Sequence, residues 1–422
     1  MPYIQRLVDR ELDELLPELP AIAIDGPKGV GKTETLRRRA ATTVALDTIA
    51  QGELYRAHPE RIRELTGPVL IDEWQLAPAT WDVVRRSVDD GARPGSYLLA
   101  GSATPLADTP AHSGAGRIAS IRMRPLSLPE RQVSTPTVSL EALMRGGAPV
   151  AGDCALTLSD YAREIVSTGL PGIHPLAGRA RRAQLDGYLG RALRRPFPDE
   201  TGLPEPRAAS LRGWLQAYAA ATGSTASYEA IRDAATAGTA EPPAKSTAIR
   251  YRDWLSALWL LDPVPAWRAP GSPLRRLTAG PKHHLADPGL AAHALDVDAD
   301  DLLDGAGRVA PGHGTLLGAL FESLSTLTVR CLAQTLEART SHLRTQRGEH
   351  EVDLIVEGRG GRVVAAEVKL GAGIVDADVR HLHWLRDQLG DRVKDLVVLT
   401  TGPAAYRRPD GVAVVPLGLL GL

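Results

Sequence analysis

The 422 residues carry 49 Lys+Arg against 50 Asp+Glu, a formal net charge of -1, so no global basic field advertises nucleic acid and any basic surface must be local. Hydrophobic residues make up 43% and aromatics only 4%, so aliphatic side chains and Ala must fill the cores of about two to four domains. The two cysteines, Cys154 and Cys331, exclude a disulfide framework or a cysteine-rich zinc site.

Met1 to Pro20 intersperses Asp9, Glu11, Asp13, Glu14 and Glu18 among its apolar positions, unlike the unbroken core of a signal peptide. No apolar run reaches the ~18 residues of a membrane span. A cytoplasmic, membrane-free protein is expected. Lysine is scarce, occurring only at Lys28, Lys32, Lys245, Lys282, Lys369 and Lys394. In a chain so biased toward arginine, a surviving lysine marks a place where a compact ammonium is required. Lys32 and Lys369 are the two candidates.

Ala21-Ile22-Ala23-Ile24 reads as a strand and Glu34 to Ala40 as a helix. Between them lies Gly26-Pro27-Lys28-Gly29-Val30-Gly31-Lys32-Thr33, with Glu34 directly after it. Strand, Gly-rich loop and helix make G-x-x-x-x-G-K-[ST] a phosphate site. Its glycines let backbone N–H groups point at phosphate oxygens. Lys32 would reach the β- and γ-phosphates of ATP, and Thr33 would hold Mg2+.

Thr43 to Asp47 reads as a second strand, followed by a polar helix through Arg63. Pro68-Val69-Leu70-Ile71-Asp72-Glu73 then ends a strand in two carboxylates. Asp72 would contact the Mg2+ shell, and Glu73 would orient and polarise the attacking water. A third strand, Ser96 to Ala100, runs into Gly101-Ser102-Ala103-Thr104, where Ser102 is placed to sense the γ-phosphate. Gly114-Ala115-Gly116-Arg117 puts Arg117 on a loop, either as an arginine finger for a neighbouring subunit or as an ordinary surface arginine. These alternations predict a doubly wound parallel α/β sheet with the ligand at the strand ends.

The succession GPKGVGKT, LIDEWQ, LLAGSA, GAGR and Arg124-Pro125-Leu126-Ser127 resembles the prokaryotic AAA-type (AAA_14) ATPases that carry a C-terminal DUF4143 region. The resemblance covers nearly the whole chain. It implies ATP and Mg2+ as cofactors. Arg117 acting in trans would further imply a homo-oligomer. Trp74 departs from it, standing where the family usually has a smaller aliphatic residue.

The domains expected are 1–130 for the ATPase, 131–205 for a connector and helical lid, 206–310 for a winged-helix-like middle, and 311–422 for an α/β nuclease-like module. Residues 131–157 are rich in Pro, Gly, Ser and Thr and read as a connector. Helices are expected at Ser159 to Leu170 and Asp186 to Arg195, forming the lid. Three more follow at Ser210 to Ala221, Ser227 to Ala235 and Lys245 to Leu261, with a turn at Gly238 and Pro242-Pro243. That spacing suggests a helix-turn-helix or winged-helix unit, and in the resembling family the region looks like one. Lys245, Ser246, Thr247, Arg250 and Arg252 would meet DNA there, unless the unit is a protein adaptor with a solvated face. His283 and His284 are adjacent, a poor spacing for co-ligands, and read as structural.

Leu316 to Gln334 reads as a helix carrying Glu322. The runs Glu351 to Glu357 and Arg362 to Lys369 read as a hairpin around Gly358-Arg359-Gly360-Gly361. A helix over Asp376 to Leu389 and a strand over Asp395 to Thr400 follow. Glu367 and Lys369 share a strand face. The succession resembles the PD-(D/E)xK nuclease fold, with Val352 in place of the Pro. That resemblance implies that Asp353 and Glu367 bind Mg2+, that Lys369 activates water, and that Glu322 assists. A solvated, salt-bridged hairpin and a non-cleaving fold are the rival readings. Two functions stand: an ATPase acting on DNA, with or without cleavage, or a nucleotide-controlled switch that binds partners.

Overall fold

The computed structural model describes residues 3–102, 115–194, 205–235, 242–268, 280–345 and 348–422. Ala103, Thr104, Gly114, Arg195 and Gly238 lie outside the described residues. Contacts divide the chain into two units: residues 1–125 with 170–172 and 253–260, and residues 126–169 with 173–252 and 261–422.

In the first unit, α1 (Leu7–Leu15) precedes β1 (Ala21–Asp25) and α2 (Lys32–Arg37). Then come β2 (Thr42–Ala45), α3 (Ile49–Ala57), β3 (Val69–Asp72), α4 (Ala79–Asp89), β4 (Tyr97–Gly101) and β5 (Ala119–Arg122). The strands form one sheet in the order β2-β3-β4-β1-β5, parallel throughout. Every residue of Ala21 to Ile24, Val69 to Ile71 and Tyr97 to Gly101 is buried, as strands covered on both faces require. Ala23, Ile71 and Leu99 pack on one side with Trp74, Trp81 and Val84, while Ile22, Leu70 and Leu98 alternate to the other. β4 lies between β1 and β3, in register Asp25↔Gly101 and Asp72↔Ala100. The ends of these three strands are therefore level. The edge strand β5 is not legible as a strand from its sequence.

In the second unit, β6 (Val138–Ser139), α5 (Leu140–Arg145) and β7 (Gly152–Asp153) precede α6 (Leu158–Ser167), α7 (Gly178–Arg194), α8 (Glu205–Ala220), α9 (Tyr228–Ala234) and α10 (Lys245–Ala257), the last of which belongs to this unit only as far as Arg252. There follow α11 (Pro288–Ala294), α12 (Ala299–Leu302) and α13 (Gly314–Thr335). The rest runs β8 (Arg339–Arg344), β9 (Glu351–Glu357), β10 (Val363–Lys369), α14 (Asp376–Leu389), β11 (Val393–Thr400), β12 (Ala404–Arg407), β13 (Ala413–Pro416) and β14 (Leu420–Gly421). The main sheet is ordered β7-β12-β13-β11-β10-β9-β8. α13 has the length and hydropathy of a membrane span, yet it is mostly buried and packs on β8 and β10.

Residues 131–157 are not a free connector. β7 pairs with β12, β6 pairs with β14, and α5 packs on β11. Short strands bordered by Pro and Gly carry no periodicity of their own, so partners some 250 residues away (Gly152↔Ala405) define them. The helices expected as a lid, α6 and α7, belong to the second unit and pack against α11. After α8, α9 and α10 the chain makes antiparallel bridges Leu261↔Leu285 and Val264↔Lys282. Ala266 then pairs parallel with His342, extending the sheet beyond β8.

Asp287 ties several of these pieces together. Its buried carboxylate accepts from Gly169 N at 2.5 Å and Gly289 N at 2.8 Å, with Arg131 Nη2 at 3.9 Å. Arg131 is itself buried against Glu164 at 3.1 Å. Asp287→Ala would strand two N–H donors and remove one of the two carboxylates near the Arg131 guanidinium. We expect a loss of about 3 kcal/mol, seen as a lower midpoint for the unfolding of the second unit, with Asp287→Asn recovering part of it.

Candidate functional site

After β1 the backbone turns sharply through Gly26 to Gly31. A Cβ on Gly26 would lie 2.1 Å from the Met123 carbonyl oxygen, so no side chain fits there. Gly29 and Gly31 hold φ of 81° and 102°, conformations that cost glycine little. Arg6 braces the loop from behind, donating to Val30 O at 2.6 Å and Arg124 O at 2.7 Å. Sequence reasoning missed Arg6, because a lone arginine before an amphipathic helix carries no signal.

Lys32 opens α2 and is 7% exposed. Its Nζ donates to Gly26 O at 2.7 Å and Pro27 O at 2.9 Å, so the loop wraps around its own lysine. Burial pushes the ammonium down to about 8, against the opposing pull of Glu73, Asp25 and Asp72. Thr33 Oγ1 donates to Asp72 Oδ1 at 2.9 Å, which brings the ends of the two motifs together. Burial also pushes the Asp72 carboxyl upward, while the Thr33 hydrogen bond works the other way. This hydroxyl and carboxylate are hard oxygen donors, the set that suits Mg2+. Lys28 and Glu34 are exposed, and Glu34 faces Arg37 at 3.5 Å.

Glu73 follows β3 in the left-handed region, φ 54°. Its Oε2 accepts from Ser102 Oγ at 2.9 Å and from the Gln75 amide, and Gln75 also reaches Ser102 Oγ at 3.3 Å. Ser102 thus lands beside Glu73, as strand order dictates, and its hydroxyl is engaged by the carboxylate. Gln75 was missed as a functional residue, although it lies inside LIDEWQ. Trp74 is buried against Trp81, with ring centroids 4.4 Å apart, and its Nε1 lies 2.6 Å from where a Cβ on Gly101 would stand. Its bulk fills the space beside that glycine. Arg117 is half-exposed and pairs with Asp89 at 2.8 Å.

A second group of charges gathers in the second unit. The register Ala365↔Ile355 puts Asp353 on the same face as Glu367 and Lys369, as the hairpin reading required. Asp353 Oδ2 accepts from Val368 N at 2.9 Å, and Lys369 Nζ lies 3.2 Å from Glu367 Oε2. The unexpected member is Lys282. Its Nζ lies 2.8 Å from Asp353, 2.9 Å from Glu322 and 3.4 Å from Glu351, and the residue is 1% exposed. Burial would raise the Asp353 carboxyl, but Lys282 holds it below the ordinary range. Burial and the neighbouring Asp353 push Glu322 up to about 8 and Glu367 well above a normal glutamate. The Mg2+ site expected at Asp353 and Glu367 does not fit this arrangement, because Asp353 Oδ1 faces the Lys282 ammonium, Asp353 Oδ2 accepts from Val368 N and Glu367 Oε2 faces Lys369, which leaves Glu367 Oε1 without a hydrogen-bond partner among the described residues. No cluster of three or more His, Cys, Asp or Glu among the described residues is arranged to hold a metal. The signal for Lys282 was present: it is one of only six lysines.

On α10, Lys245, Ser246, Ile249 and Arg250 are exposed. Lys245 faces Glu229 at 3.3 Å, and the Arg252 guanidinium lies 5.3 Å from the Tyr228 ring centre. His283 Nε2 lies 2.8 Å from Ala226 O, and burial pushes His284 down to about 3, so both behave as neutral core residues.

Residues 18–132 match the family model of an AAA domain, residues 158–301 that of DUF8612, and residues 317–420 that of DUF4143, the last two domains of unknown function. Uncharacterized proteins of Mycobacterium bovis and Mycobacterium tuberculosis are each 27% identical over 366 residues, covering 85% of this chain and 72% of theirs. Among solved structures, the Walker-type ATPase of Pyrococcus abyssi aligns with a TM-score of 0.39 at 15% identity, covering 69% of this chain and 96% of that one. The Aeropyrum pernix ORC2 protein, in ADPNP–ADP complexes, aligns with a TM-score of 0.27 at 15% identity, covering 69% and 92%. Residues 18–132 are thus similar to AAA_14 domains and residues 317–420 to DUF4143 domains.

Proposed function

We propose that this protein is a cytoplasmic, Mg2+-dependent ATP hydrolase whose nucleotide cycle governs what the second unit binds. The observation that supports this most is the meeting of Lys32, Thr33, Asp72, Glu73 and Ser102 at one edge of the parallel sheet. Gly26 to Thr33 would surround the phosphates with backbone N–H groups, and Lys32 would exchange its two carbonyl partners for phosphate oxygens. Thr33 and Asp72 would hold Mg2+, which when bound offsets phosphate charge. Glu73, kept in place by Gln75 and Ser102, would orient the attacking water and accept its proton. Ser102 would report the γ-phosphate by trading Glu73 for it. An arginine-finger role for Arg117 in a homo-oligomer requires that its surface pair with Asp89 give way, and exposed pairs of this kind hold weakly.

For the second unit, the filling of the carboxylate cluster by Lys282 favours binding over cleavage by Asp353, Glu367 and Lys369. DNA is the first partner to test. Three helices followed by a bridged strand pair suit a winged-helix-like unit, and α10 presents Lys245, Ser246 and Arg250 outward. The exposed Ile249, at 42%, favours a protein partner as the second reading.

Lys32→Ala is expected to abolish tight ATP binding. Glu73→Gln should bind ATP normally while turnover falls at least ~100-fold, and unchanged turnover would remove Glu73 from its assigned role. Because Lys32 rests near 8, it is partly neutral at about pH 8 before phosphates restore its charge. Binding of MgATP should therefore take up protons near pH 8 and none near about pH 6, read by calorimetry in buffers of different ionisation enthalpy. At fixed salt, DNA should raise ATP turnover. Turnover indifferent to single- and double-stranded DNA would shift the assignment to a protein partner.

A further inference from the structure

Glu322 on α13, Glu351 and Asp353 on β9, and Glu367 on β10 approach one another inside the second unit. Glu322, Asp353 and Glu367 are largely withdrawn from water, while Glu351 is 33% exposed and also faces Arg344 at 3.7 Å; carboxylates so gathered repel, and a divalent cation is a common way to satisfy such a group. Here the chain supplies the positive charge itself. Lys282 Nζ donates a hydrogen bond to Asp353 Oδ1 at 2.8 Å and lies at ion-pair distance from Glu322 at 2.9 Å and Glu351 at 3.4 Å. Lys369 serves the fourth, Glu367, at 3.2 Å.

The backbone that delivers Lys282 is held on both sides. Lys282 N donates to Val264 O at 2.9 Å, Val264 N donates to Lys282 O at 2.8 Å, and His283 N donates to Ser224 O at 2.8 Å. The ammonium is therefore part of the frame and not a side chain resting in a cleft. Mg2+ demands its own octahedron of oxygens at ~2.0–2.1 Å. It cannot share these oxygens with an ammonium already at hydrogen-bond distance, because two cations so close in a buried site repel strongly.

We propose that Lys282 is a built-in substitute for a divalent metal: the carboxylate centre of the DUF4143 domain is held together by an internal ammonium and binds no divalent cation. Glu322, Glu351 and Asp353 form a latent cation site that only the removal of this ammonium opens. This centre lies wholly in the second unit and does not depend on ATP turnover. Asp72→Ala in every sample removes the metal-binding carboxylate of the ATP site, so that any Mn2+ bound reports on the second unit.

The test is a titration of full-length Asp72→Ala protein with Mn2+ alone, without nucleotide, followed by the electron paramagnetic resonance of free Mn2+ and by thermal melting. The Asp72→Ala parent should bind no Mn2+ at the carboxylate centre and melt at the same temperature in Mn2+ and in EDTA. Adding Lys282→Met should lower the melting temperature by on the order of 10 °C in EDTA. It should also create one Mn2+ site whose filling recovers the loss, and Asp353→Asn on top should abolish that site. Stoichiometric Mn2+ binding by the parent, lost on Asp353→Asn, would overturn the proposal, and that arm needs no Lys282 variant. So would a Lys282→Met protein that folds and binds no Mn2+. If Lys282→Met fails to fold in EDTA, folding in Mn2+ supports the proposal. A Lys282→Met protein that folds in neither medium contradicts the latent site, because Mn2+ then cannot stand in for the ammonium.

Discussion

An ammonium withdrawn from water loses several kcal/mol of hydration unless oxygen atoms replace its shell. Lys32 and Lys282 are both buried, and each meets this demand differently. Lys32 is surrounded by neutral carbonyls from its own loop, and burial lowers its hold on the proton. Lys282 is surrounded by carboxylates, which strengthen that hold well beyond the ordinary lysine value despite burial. The first arrangement leaves a cation whose hydrogen-bond partners carry no full charge. The second leaves a cation already satisfied. One residue type thus produces a responsive site in the first unit and a closed one in the second.

The responsive site depends on strand order. β1 carries the P-loop, β3 carries Asp72 and Glu73, and β4 between them carries Ser102. Level strand ends let a hydroxyl from α2 reach the Asp72 carboxylate and a hydroxyl beyond β4 reach Glu73. Glu73 sits in the left-handed region, where a non-glycine residue is uncommon, and two hydrogen-bond donors hold its side chain there. Trp74, the departure from the resembling family, packs on Trp81 and keeps its bulk inside the core instead of in the site.

The closed site depends on contacts far apart in sequence. Glu322 comes from α13, Glu351 and Asp353 come from β9, and Lys282 enters from the strand pair with Val264. Asp287 plays a comparable part for the helices, joining Gly169, Gly289 and Arg131 through one buried carboxylate. In both places a single buried charge fixes where separate segments meet. Such residues serve as much to define geometry as to hold the unit together.

The sequence by itself determined the local geometry of the Gly-rich loop and the strand ends beside it. A glycine pattern, a strand ending in two acids and a serine at a strand tip depend on neighbours a few residues away, so their spacing was enough to place them at the strand ends. The hairpin of β9 and β10 was legible for the same reason, since alternation and a Gly-rich turn announced it, and the folded register then set Asp353 opposite Glu367. Only the tertiary structure decided what those residues face. Lys282 stands some 70 residues before Asp353 and showed nothing but rarity, and β6 and β7 in the supposed connector find their partners near the C-terminus. Side-chain alternation and turn chemistry act over a few residues, whereas charge pairing and strand addition act through space. The sequence placed Asp353, Glu367 and Lys369 in one hairpin, and only folding brought Lys282, Glu322 and Glu351 to them.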